Sequence, residues 1–333
     1  MENIKVAIVA ACHIQPTEEW VRSLDACLKG KGDRKIIIVD DSAGQDLKFP
    51  ASWDVYTKDR QEALLGTDKY EQFKLFQRSS ACKSLGNFVA WKEEYDVIIG
   101  LDSDCNVPMN FVAEHIEGLK RQGYGWENPI INTGWFPRGY PYAERIRRVV
   151  ANMGLWNGCL DLGGSDRVKA GGIEPTEPMH AKPHQIAQGF LPFSGMNWAL
   201  QRDAMPGFLF LPNFKYEHDE GVIFKFRRHD DIWGGYIFQR FMEKRNERVC
   251  YGDPVVFHDS LVDAKKDAEE EEGATMFEQA FYTAVDQVFD KIETGTYEDM
   301  MMQFTKIVEK DWKNSEWEAL IPAFTFWSSL FLV

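Results

Sequence analysis

Two aspartates separated by a single residue, Asp102 and Asp104, follow an apolar run at residues 97–101. Such a run has the composition of a buried parallel strand. Side chains alternate along an extended chain, so we expect both carboxylates to point the same way and to repel each other unless a cation lies between them. Carboxylates and phosphate oxygens are the usual surroundings of Mg²⁺ or Mn²⁺. The pair predicts a divalent metal that grips the diphosphate of a sugar nucleotide; the alternative is an ordinary acidic turn.

The elements around this pair alternate between strands and helices. Apolar runs predict strands at residues 5–11, 35–41, 53–56 and 95–101. Helical spacing of apolar residues predicts helices at residues 18–28, 72–91 (with a cap or break at Ser79 or Ser80) and 110–121. This order predicts an α/β fold, a GT-A-like doubly wound mixed sheet flanked by helices, with its ligand at the carboxyl edge of the strands. Any Rossmann-like domain would alternate in the same way, but the Gly-x-Gly-x-x-Gly phosphate loop is missing from the sequence.

The chain changes character near residue 260, which predicts two parts. Residues 1–260 are the expected GT-A-like nucleotide-sugar domain, and residues 261–333 are a mostly helical C-terminal extension packed on it. Within the extension, the charged residues 263–272 predict a solvated helix face or an exposed loop. The apolar tail at residues 324–333 is too short to span a membrane, so we expect it to pack on its own domain or on a partner subunit.

Composition narrows the class of protein. The net charge of −14 argues against a protein that wraps nucleic acid through a general basic surface, although a local basic patch and a nucleic-acid acceptor stay open. The six cysteines are scattered without a Cys-x-x-Cys pair, which indicates neither a zinc knuckle nor a disulfide framework. With no signal-peptide pattern and no long apolar stretch, the chain is expected to be a cytoplasmic protein without a membrane span.

Two segments carry more specific information. The first is Pro-Arg-Gly-Tyr-Pro-Tyr-Ala-Glu-Arg at residues 137–145, followed by Gly-Leu-Trp at 154–156. The second is Ser-Gly-Met-Asn-Trp-Ala at 194–199, followed by Arg-His-Asp-Asp-Ile-Trp-Gly-Gly-Tyr at 228–236. Together with the Asp-x-Asp strand, these segments resemble the reversibly glycosylated polypeptides, a family that includes the UDP-arabinopyranose mutases. The resemblance runs from about Val6 to about Ser260.

The sequence departs from the family pattern in three places. Ser103 stands where the family has a third acid, an Asp-rich segment is thinned to Asp161 and Asp166, and the C-terminal region matches poorly. These departures indicate a distant member. Ser103 is still expected to contact the substrate beside the two remaining carboxylates.

The resemblance implies an activity, the interconversion of the pyranose and furanose forms of UDP-arabinose without redox chemistry. It also implies that Arg145 becomes reversibly glycosylated, and it places Arg138 among the substrate contacts. An arginine is a poor nucleophile because its guanidinium stays protonated. Arg145 therefore has two further interpretations, a clamp on the diphosphate or, with Arg147 and Arg148, part of a solvated basic helix face.

The second segment supplies the expected groups around the sugar. Asp230 and Asp231 would contact sugar hydroxyls or act as a base on the opening ring, unless they form a structural salt bridge with Arg228. Trp233 would stack on a sugar face or lie in the core. Asn197 would bond to the sugar or brace its own loop.

The remaining expected contacts lie at other strand ends. His258 follows an apolar run at residues 255–257 and matches a strand-end His of the family, which makes it an expected metal ligand with Asp102 and Asp104. A simple hydrogen bond is the alternative for His258, and an exposed surface position is the alternative for Lys83, which otherwise matches a phosphate-binding basic residue of the family. The expected nucleotide contacts are Ala10, Asp40, Asp41, Asp59 and Lys83.

Three hypotheses about function result. The first is a UDP-arabinopyranose mutase that uses Mn²⁺ or Mg²⁺ and neither flavin nor nicotinamide. The second is a retaining glycosyltransferase that moves a sugar from a UDP-sugar to a glycan, a protein or a modified nucleobase. The third is a non-catalytic subunit that binds a UDP-sugar and assembles with an active partner. A UDP-sugar is the expected ligand in each, and a homo-oligomer stays open.

Overall fold

The structure is a computed structural model that describes residues 4–30, 32–126, 128, 130, 135–171, 182–218, 221–260 and 263–332. The strands are β1 (Lys5–Cys12), β2 (Asp33–Asp40), β3 (Asp54–Tyr56), β4 (Val97–Leu101), β5 (Cys105–Asn106), β6 (Val149–Gly158), β7 (Gln185–Ile186), β8 (Asn197–Gln201), β9 (Phe214–Glu217), β10 (Ile223–Phe226) and β11 (Arg248–His258). The helices are α1 (Glu18–Cys27), α2 (Lys58–Leu65), α3 (Thr67–Phe73), α4 (Lys83–Lys92), α5 (Phe111–Leu119), α6 (Gly164–Lys169), α7 (Asp230–Lys244), α8 (Ala264–Phe289), α9 (Tyr297–Asp311) and α10 (Ile321–Leu330).

A mixed sheet forms the centre of the fold. Across the described parts of the chain its strands run in the order β3-β2-β1-β4-β8-β6-β11-β5, and β7 also pairs with β11. Strand β1 is parallel to both β2 and β4, and β6 is parallel to β11. Strand β8 lies between the two parallel groups and is antiparallel to both β4 and β6. The predicted α/β fold, a doubly wound mixed sheet flanked by helices with a C-terminal helical segment, is confirmed.

The apolar strands are continuous because helices cover both faces of the sheet. Val6 and Ile8 of β1 belong to one hydrophobic cluster, whereas Ala7 and Val9 belong to the other. Successive side chains of a strand point to opposite faces, so a strand buried on both faces needs an apolar residue at every position. The same alternation explains the Ile-Ile-Ile-Val run of β2 at residues 36–39.

Within the described residues, the carboxyl ends of six strands lie along one edge of the sheet. Strands β1, β2, β3, β4, β6 and β11 all run in one direction, so their carboxyl ends lie along the same edge. Strand β8 runs the other way, and its first residue, Asn197, pairs with Leu101 at the end of β4. The turn before Asn197 therefore reaches this edge as well. Sheet topology thus brings together segments that are far apart in the sequence.

The predicted helix at residues 72–91 is divided in two. Helix α3 ends at Phe73, and α4 begins at Lys83. Between them Arg78 has a φ of 62°, a left-handed conformation that interrupts a right-handed helix. Because of this break, Ser80 and Lys83 lie at the carboxyl edge of the sheet and not along a helix side.

The C-terminal helices pack on the same core as the sheet. The larger hydrophobic cluster runs from Ala7 to Phe331 and contains buried residues on both sides of residue 260. Trp327 of α10 donates a hydrogen bond to the carbonyl oxygen of Pro206 at 2.9 Å, so the apolar tail packs on its own chain. Residues 264–272, expected as a solvated face or a loop, are helical, and Asp267 and Glu271 among them are buried. In the described part of the chain, no helix combines the length and hydrophobicity that a membrane span requires.

Candidate functional site

A buried ion pair lies at the centre of the carboxyl edge. The ammonium of Lys83, the first residue of α4, contacts Oδ1 of Asp102 just after β4. It also donates to the carbonyl oxygen of Gly195 at 2.9 Å and lies 4.8 Å from the centre of the Phe210 ring. Burial acts to lower the pKa of Lys83, but Asp102 opposes this and raises it, so the lysine stays charged. Lys83 is therefore buried and not at an exposed surface position. The phosphate contact expected of it stays a prediction.

Asp102 and Asp104 flank a turn and do not continue the strand. Strand β4 ends at Leu101, and the amide of Cys105 donates to the carbonyl oxygen of Asp102 at 3.2 Å. The alternation of an extended strand therefore stops before the two acids, contrary to the expectation that it aligns them. Asp102 binds the lysine described above, whereas Asp104 faces a different strand. Ser103 lies half-buried in the turn between them.

His258 reaches Asp104 from the end of β11. Its Nε2 lies 3.4 Å from Oδ2 of Asp104, and its Nδ1 lies 2.7 Å from the carbonyl oxygen of Cys159. Carbonyl and carboxylate oxygens both accept, so Nδ1 carries a hydrogen toward Cys159, and the protonated ring also carries one on Nε2 toward Asp104. Burial acts to lower the pKa of His258, but the hydrogen bond and charge of Asp104 raise it. Gly158 permits this contact between strand ends, because a Cβ there would lie 2.6 Å from the carbonyl oxygen of His258.

Asp104 and His258 fit a divalent cation. Two ligands at right angles on an ion, with bonds of about 2.1 Å, are about 3.0 Å apart, close to the 3.4 Å observed between Oδ2 and Nε2. A hydrogen-bonded Nδ1 is the arrangement that prepares Nε2 to bind a metal. Asp102 is less free, since Lys83 occupies its Oδ1. Among the described residues, no three His, Cys, Asp or Glu side chains already form a metal-binding group. Asp104 and His258 are therefore the two candidate ligands at this edge, and Asp102 shares its carboxylate with a lysine.

The turn at residues 194–196 links this edge to the start of α7. The amide of Gly195 donates to Oδ2 of Asp231 at 2.6 Å, while the carbonyl oxygen of Gly195 accepts from Lys83. The carbonyl oxygen of Met196 accepts from the amide of Asp102 at 3.2 Å. A Cβ on Gly195 would lie 2.7 Å from the Phe210 ring and 3.1 Å from Cβ of Asp231, so the turn requires glycine. Gly195 thus connects the lysine pair to the acid pair.

Asp230 and Asp231 form the first turn of α7. Oδ2 of Asp230 accepts a hydrogen bond from the hydroxyl of Ser80 at 2.6 Å. Burial, and then the charges of Asp230 and Asp161, raise the pKa of Asp231 well above its usual value. The salt bridge with Arg228 weighed above is not the one that forms, since this arginine binds acids of α8. Asp231 is therefore a carboxyl group that holds its proton more strongly than an ordinary aspartate does.

Asp161 is a further carboxylate at this edge that no sequence pattern assigned to the site. It follows β6 by three residues, and its Oδ2 accepts from the hydroxyl of Ser194 at 3.1 Å. Ser194 directly precedes Gly195, so Asp161 and Asp231 are anchored by adjacent residues of one turn. The one sequence signal was the thinned Asp-rich segment, which we treated as a departure from the family pattern.

The expected nucleotide contacts are divided between the edge and the core. Asp40 and Asp41 lie at the end of β2, where they accept from the amides of Ser42 at 2.9 Å and Arg78 at 2.6 Å. Burial raises the pKa of Asp41, although the bond from Arg78 opposes this. Asp59 is exposed in the first turn of α2, just past the end of β3. Ala10 lies inside β1 and is fully buried, so its side chain belongs to the core.

Asn197 and Trp233 occupy the core as well. Oδ1 of Asn197 lies 2.9 Å from Nε2 of His115, and its Nδ2 donates to the carbonyl oxygens of Leu155 and Pro254 at 2.9 Å. Trp233 is buried and stacks on Phe281 of α8, with ring centres 4.1 Å apart. Both placements favour the bracing and core interpretations of these residues over contacts with a sugar.

Arg145 does not lie with the other expected catalytic residues. It precedes β6 by four residues, and Arg147 bridges to Gly123 beyond the end of α5. Strand β6 then runs to Gly158, opposite His258, and its nine steps correspond to about 30 Å. The expectation that Arg145 acts beside Asp230 and Asp231 therefore needs correction, because the strand separates the two ends of the sheet.

The surroundings of Arg145 are aromatic. Its guanidinium lies 3.7 Å from the centre of the Tyr142 ring and 4.9 Å from that of Phe136. Arg138 is exposed on the same segment. Arg147 and Arg148, which follow Arg145 closely in the sequence, form ion pairs with Glu144 and Asp203, respectively. The basic segment at the amino edge of the sheet is thus a surface feature of the chain.

Comparison with protein families agrees with the motifs. The profile of the reversibly glycosylated polypeptides matches residues 3–328. The chain belongs to this family. The match continues through the C-terminal helices, where the quoted motifs showed only a poor resemblance, so the extension belongs to the family pattern. Membership supports the predicted enzyme class, one that acts on a UDP-sugar.

Individual proteins are more distant. A comparison with curated proteins finds no match. Among solved structures, glucosyl-3-phosphoglycerate synthase from Mycobacterium tuberculosis with Mn²⁺, UDP-glucose and phosphoglyceric acid is similar at 11% identity and a TM-score of 0.45, over 83% of this chain and 79% of that one. Residues 1–349 of S. aureus TarS are similar at 10% identity and a TM-score of 0.40, over 98% and 88%. At such low values neither structure bears on the chemistry of the site.

Proposed function

We propose that this protein is a metal-dependent enzyme that breaks and re-forms the bond between the anomeric carbon and the diphosphate of a UDP-sugar, in the manner of a UDP-arabinopyranose mutase. The observation that carries the proposal is the meeting of Asp104 and His258, whose Oδ2 and Nε2 are 3.4 Å apart at the edge where Asp231 also lies. Family membership supports the substrate class.

Asp104, His258 and the second oxygen of Asp102 would hold the divalent cation. Bound there, the cation would neutralise the charge that builds on the departing diphosphate. An imidazole among the ligands favours Mn²⁺, since Mg²⁺ prefers oxygen ligands alone. The ion pair between the Lys83 ammonium and Oδ1 of Asp102 would keep this carboxylate in place. The lysine is a fixed part of the metal end of the site in this proposal.

The acid pair at the start of α7 would supply the proton exchange that a change of ring form requires. Once the diphosphate has left the anomeric carbon, the ring oxygen leaves this carbon and gains a proton while a hydroxyl of the sugar attacks it and loses one, and the diphosphate then re-forms its bond with the new ring. Asp231, whose pKa is raised by burial and by adjacent charge, would give the first proton. Asp230 would accept the second. A transferase needs only a base for its acceptor, so an acid beside a base favours the mutase.

The two other hypotheses use the same donor site. A retaining glycosyltransferase would pass the sugar to a glycan, a protein or a modified nucleobase, and a binding subunit would hold the UDP-sugar without turnover. The products of one incubation separate all three. The full chain is supplied with UDP-arabinopyranose and Mn²⁺ but no acceptor, and the nucleotide sugars are resolved by chromatography.

A mutase yields UDP-arabinofuranose under these conditions. The product is expected to disappear in Asp104→Asn and His258→Gln and to form about 10²–10⁴-fold more slowly in Asp231→Asn. Asp290→Asn is the matched control, because Asp290 is exposed at the end of α8. UDP-sugar binding without a rearranged product would reject the mutase. Release of UDP that requires an added acceptor would identify a transferase.

A further inference from the structure

Helix α8 presents two buried acids to the carboxyl edge of the sheet. Asp267 and Glu271 are 9% and 8% exposed, whereas Glu269 and Glu272 beside them are exposed. Residues four apart lie on the same face of a helix, so the two buried acids share one face. Buried carboxylates need cationic partners. Each of the two acids forms an ion pair with an arginine, and both arginines lie on segments that also contribute residues to the candidate site.

The first arginine, Arg167, supports the carbonyl group that orients His258. Its Nη1 lies 3.5 Å from Oδ2 of Asp267, and only 7% of its side chain is exposed. Its Nη2 donates to the carbonyl oxygen of Leu160 and lies 3.8 Å from the sulfur of Cys159. The carbonyl oxygen of Cys159 is the group that accepts from Nδ1 of His258. Arg167 therefore holds the two-residue backbone segment on which the imidazole rests.

The second arginine, Arg228, supports the start of α7. Its Nε lies 3.2 Å from Oε1 of Glu271, and its Nη1 lies 3.3 Å from Oδ1 of Asp267. Arg228 has a φ of 58°, a conformation that a residue with a side chain rarely adopts, and Asp230 follows two residues later. Oε2 of Glu271 also accepts from the amide of Gly164 at 2.7 Å. Asp267 and Glu271 thus bind both the segment that precedes α7 and the segment that follows β6.

We propose that Arg167 and Arg228, held by Asp267 and Glu271 of α8, are positioning residues of the candidate site. Arg167 fixes the hydrogen bond from Nδ1 of His258 and the orientation of its ring, and Arg228 fixes the first turn of α7. Their effect on turnover rests on the proposed function, but their effect on the imidazole does not. Helix α8 is then part of the active unit, although it belongs to the C-terminal extension.

The first experiment observes the His258 ring in the full chain without metal or substrate. The protein is labelled with ¹⁵N-histidine, and the signals of His258 are identified by their loss in His258→Gln. We expect a hydrogen-bonded Nδ1–H that exchanges slowly with solvent in the wild type, and a faster exchange of this hydrogen in Asp267→Asn, which removes the charge that holds Arg167. Glu272→Gln, an exposed change of the same kind on the same helix, is expected to leave the spectrum unchanged.

A second variant covers the case in which Asp267→Asn does not fold. Arg167→Lys keeps the charge beside Asp267 but loses the second nitrogen that reaches Leu160, so it is also expected to speed the exchange of the Nδ1 hydrogen. Wild-type exchange of the Nδ1 hydrogen in the folded variants, or the absence of a hydrogen on Nδ1 in the wild type, would overturn the inference.

The second experiment measures Mn²⁺ affinity in the presence of UDP by electron paramagnetic resonance. Loss of a residue that orients a metal-binding imidazole typically weakens affinity by about 10–100-fold, and we expect this weakening in Asp267→Asn and Arg167→Lys but not in Glu272→Gln. Wild-type affinity in the first two variants would contradict the inference. A wild-type protein that binds no Mn²⁺ would count against the proposed function, and the exchange of the Nδ1 hydrogen would then decide the inference by itself.

Discussion

Lys83 and Asp102 form a direct ion pair between the start of α4 and the end of β4, with 1% of the lysine side chain and 32% of the aspartate side chain exposed. The lysine also binds the carbonyl oxygen of Gly195, whose amide binds Asp231. Three segments of the candidate site are therefore held by one buried cation. Burial raises the pKa of Asp102, so the charge on this carboxylate depends on the lysine.

Replacing Lys83 by methionine is expected to lower the free energy of unfolding by about 2–4 kcal/mol, because it leaves a largely buried carboxylate without its partner. Urea unfolding measures the change, and Lys92→Met at the exposed end of α4 is the control. The double variant Lys83→Met/Asp102→Asn is expected to recover part of the loss. Unchanged stability together with weaker UDP binding would instead support the phosphate contact considered for Lys83.

The turn at residues 194–196 makes a second prediction. Gly195→Ala would place a Cβ 2.7 Å from Phe210 and 3.1 Å from Cβ of Asp231. We expect a loss of about 1–3 kcal/mol in stability from this crowding and a fall in turnover, because Asp231 must move. Gly189→Ala is the matched control, since a Cβ there would meet no atom within 4 Å. Activity equal to that of the control would show that Asp231 does not depend on this turn.

The position of Arg145 at the opposite edge of the sheet makes a third prediction. Arg145→Ala is expected to change kcat/KM for the UDP-sugar by less than about threefold, as for a surface substitution away from the reacting atoms. Loss of its contacts with Tyr142 and Phe136 is expected to cost about 0.5–1 kcal/mol of stability. Steady-state kinetics and thermal unfolding measure the two effects. A loss as large as that in Asp231→Asn would show that this segment serves an active site after all.

His115 makes stability depend on pH through the core and not through the site. Its Nε2 donates to Oδ1 of Asn197 at 2.9 Å, and its Nδ1 accepts from Nδ2 of Asn152 at 3.0 Å. Both ring nitrogens are thus satisfied in the neutral form. Burial lowers the pKa of His115 to about 3, although the bond to Asn197 opposes this and nearby His184 adds to it. At pH values between about 3 and the ordinary histidine pKa of 6.5, His115 is therefore neutral in the folded protein and protonated in the unfolded chain.

The sign of this effect is fixed by linkage. Below the ordinary histidine pKa of 6.5 the unfolded chain binds one more proton than the folded protein, so stability falls by up to about 1.4 kcal/mol per pH unit until the pH nears 3. Urea unfolding between pH 7.5 and pH 4.5 (about two units below the ordinary pKa) should show a smaller slope in His115→Gln than in the wild type. His218→Gln, at an exposed position, is the control. Parallel curves for wild type and His115→Gln would contradict the prediction.

Local patterns in the sequence determined the α/β class, the strands that carry the acids and the family. Apolar runs identify β1, β2 and β4 because a strand buried on both faces has no polar positions. The motifs around residues 137–145, 194–199 and 228–236 identify the family because they are specific in type and spacing. The sequence predicts a cap or break at Ser79 or Ser80, and the left-handed residue Arg78 lies directly before these two serines.

Tertiary structure decided which of these residues meet. Asp102 and Asp104 lie in a turn, to which strand alternation does not apply, and they bind different partners, Lys83 and His258. Asn197 and Trp233 are core residues. Arg145 precedes β6 and His258 ends β11, and the direction of these parallel strands puts the two residues at opposite ends of the sheet. The buried acids of α8 sit in the most charged stretch of the chain, where composition favours solvent. Sequence patterns report local periodicity, whereas long-range contacts depend on how strands and helices pack, and the candidate site is built from such contacts.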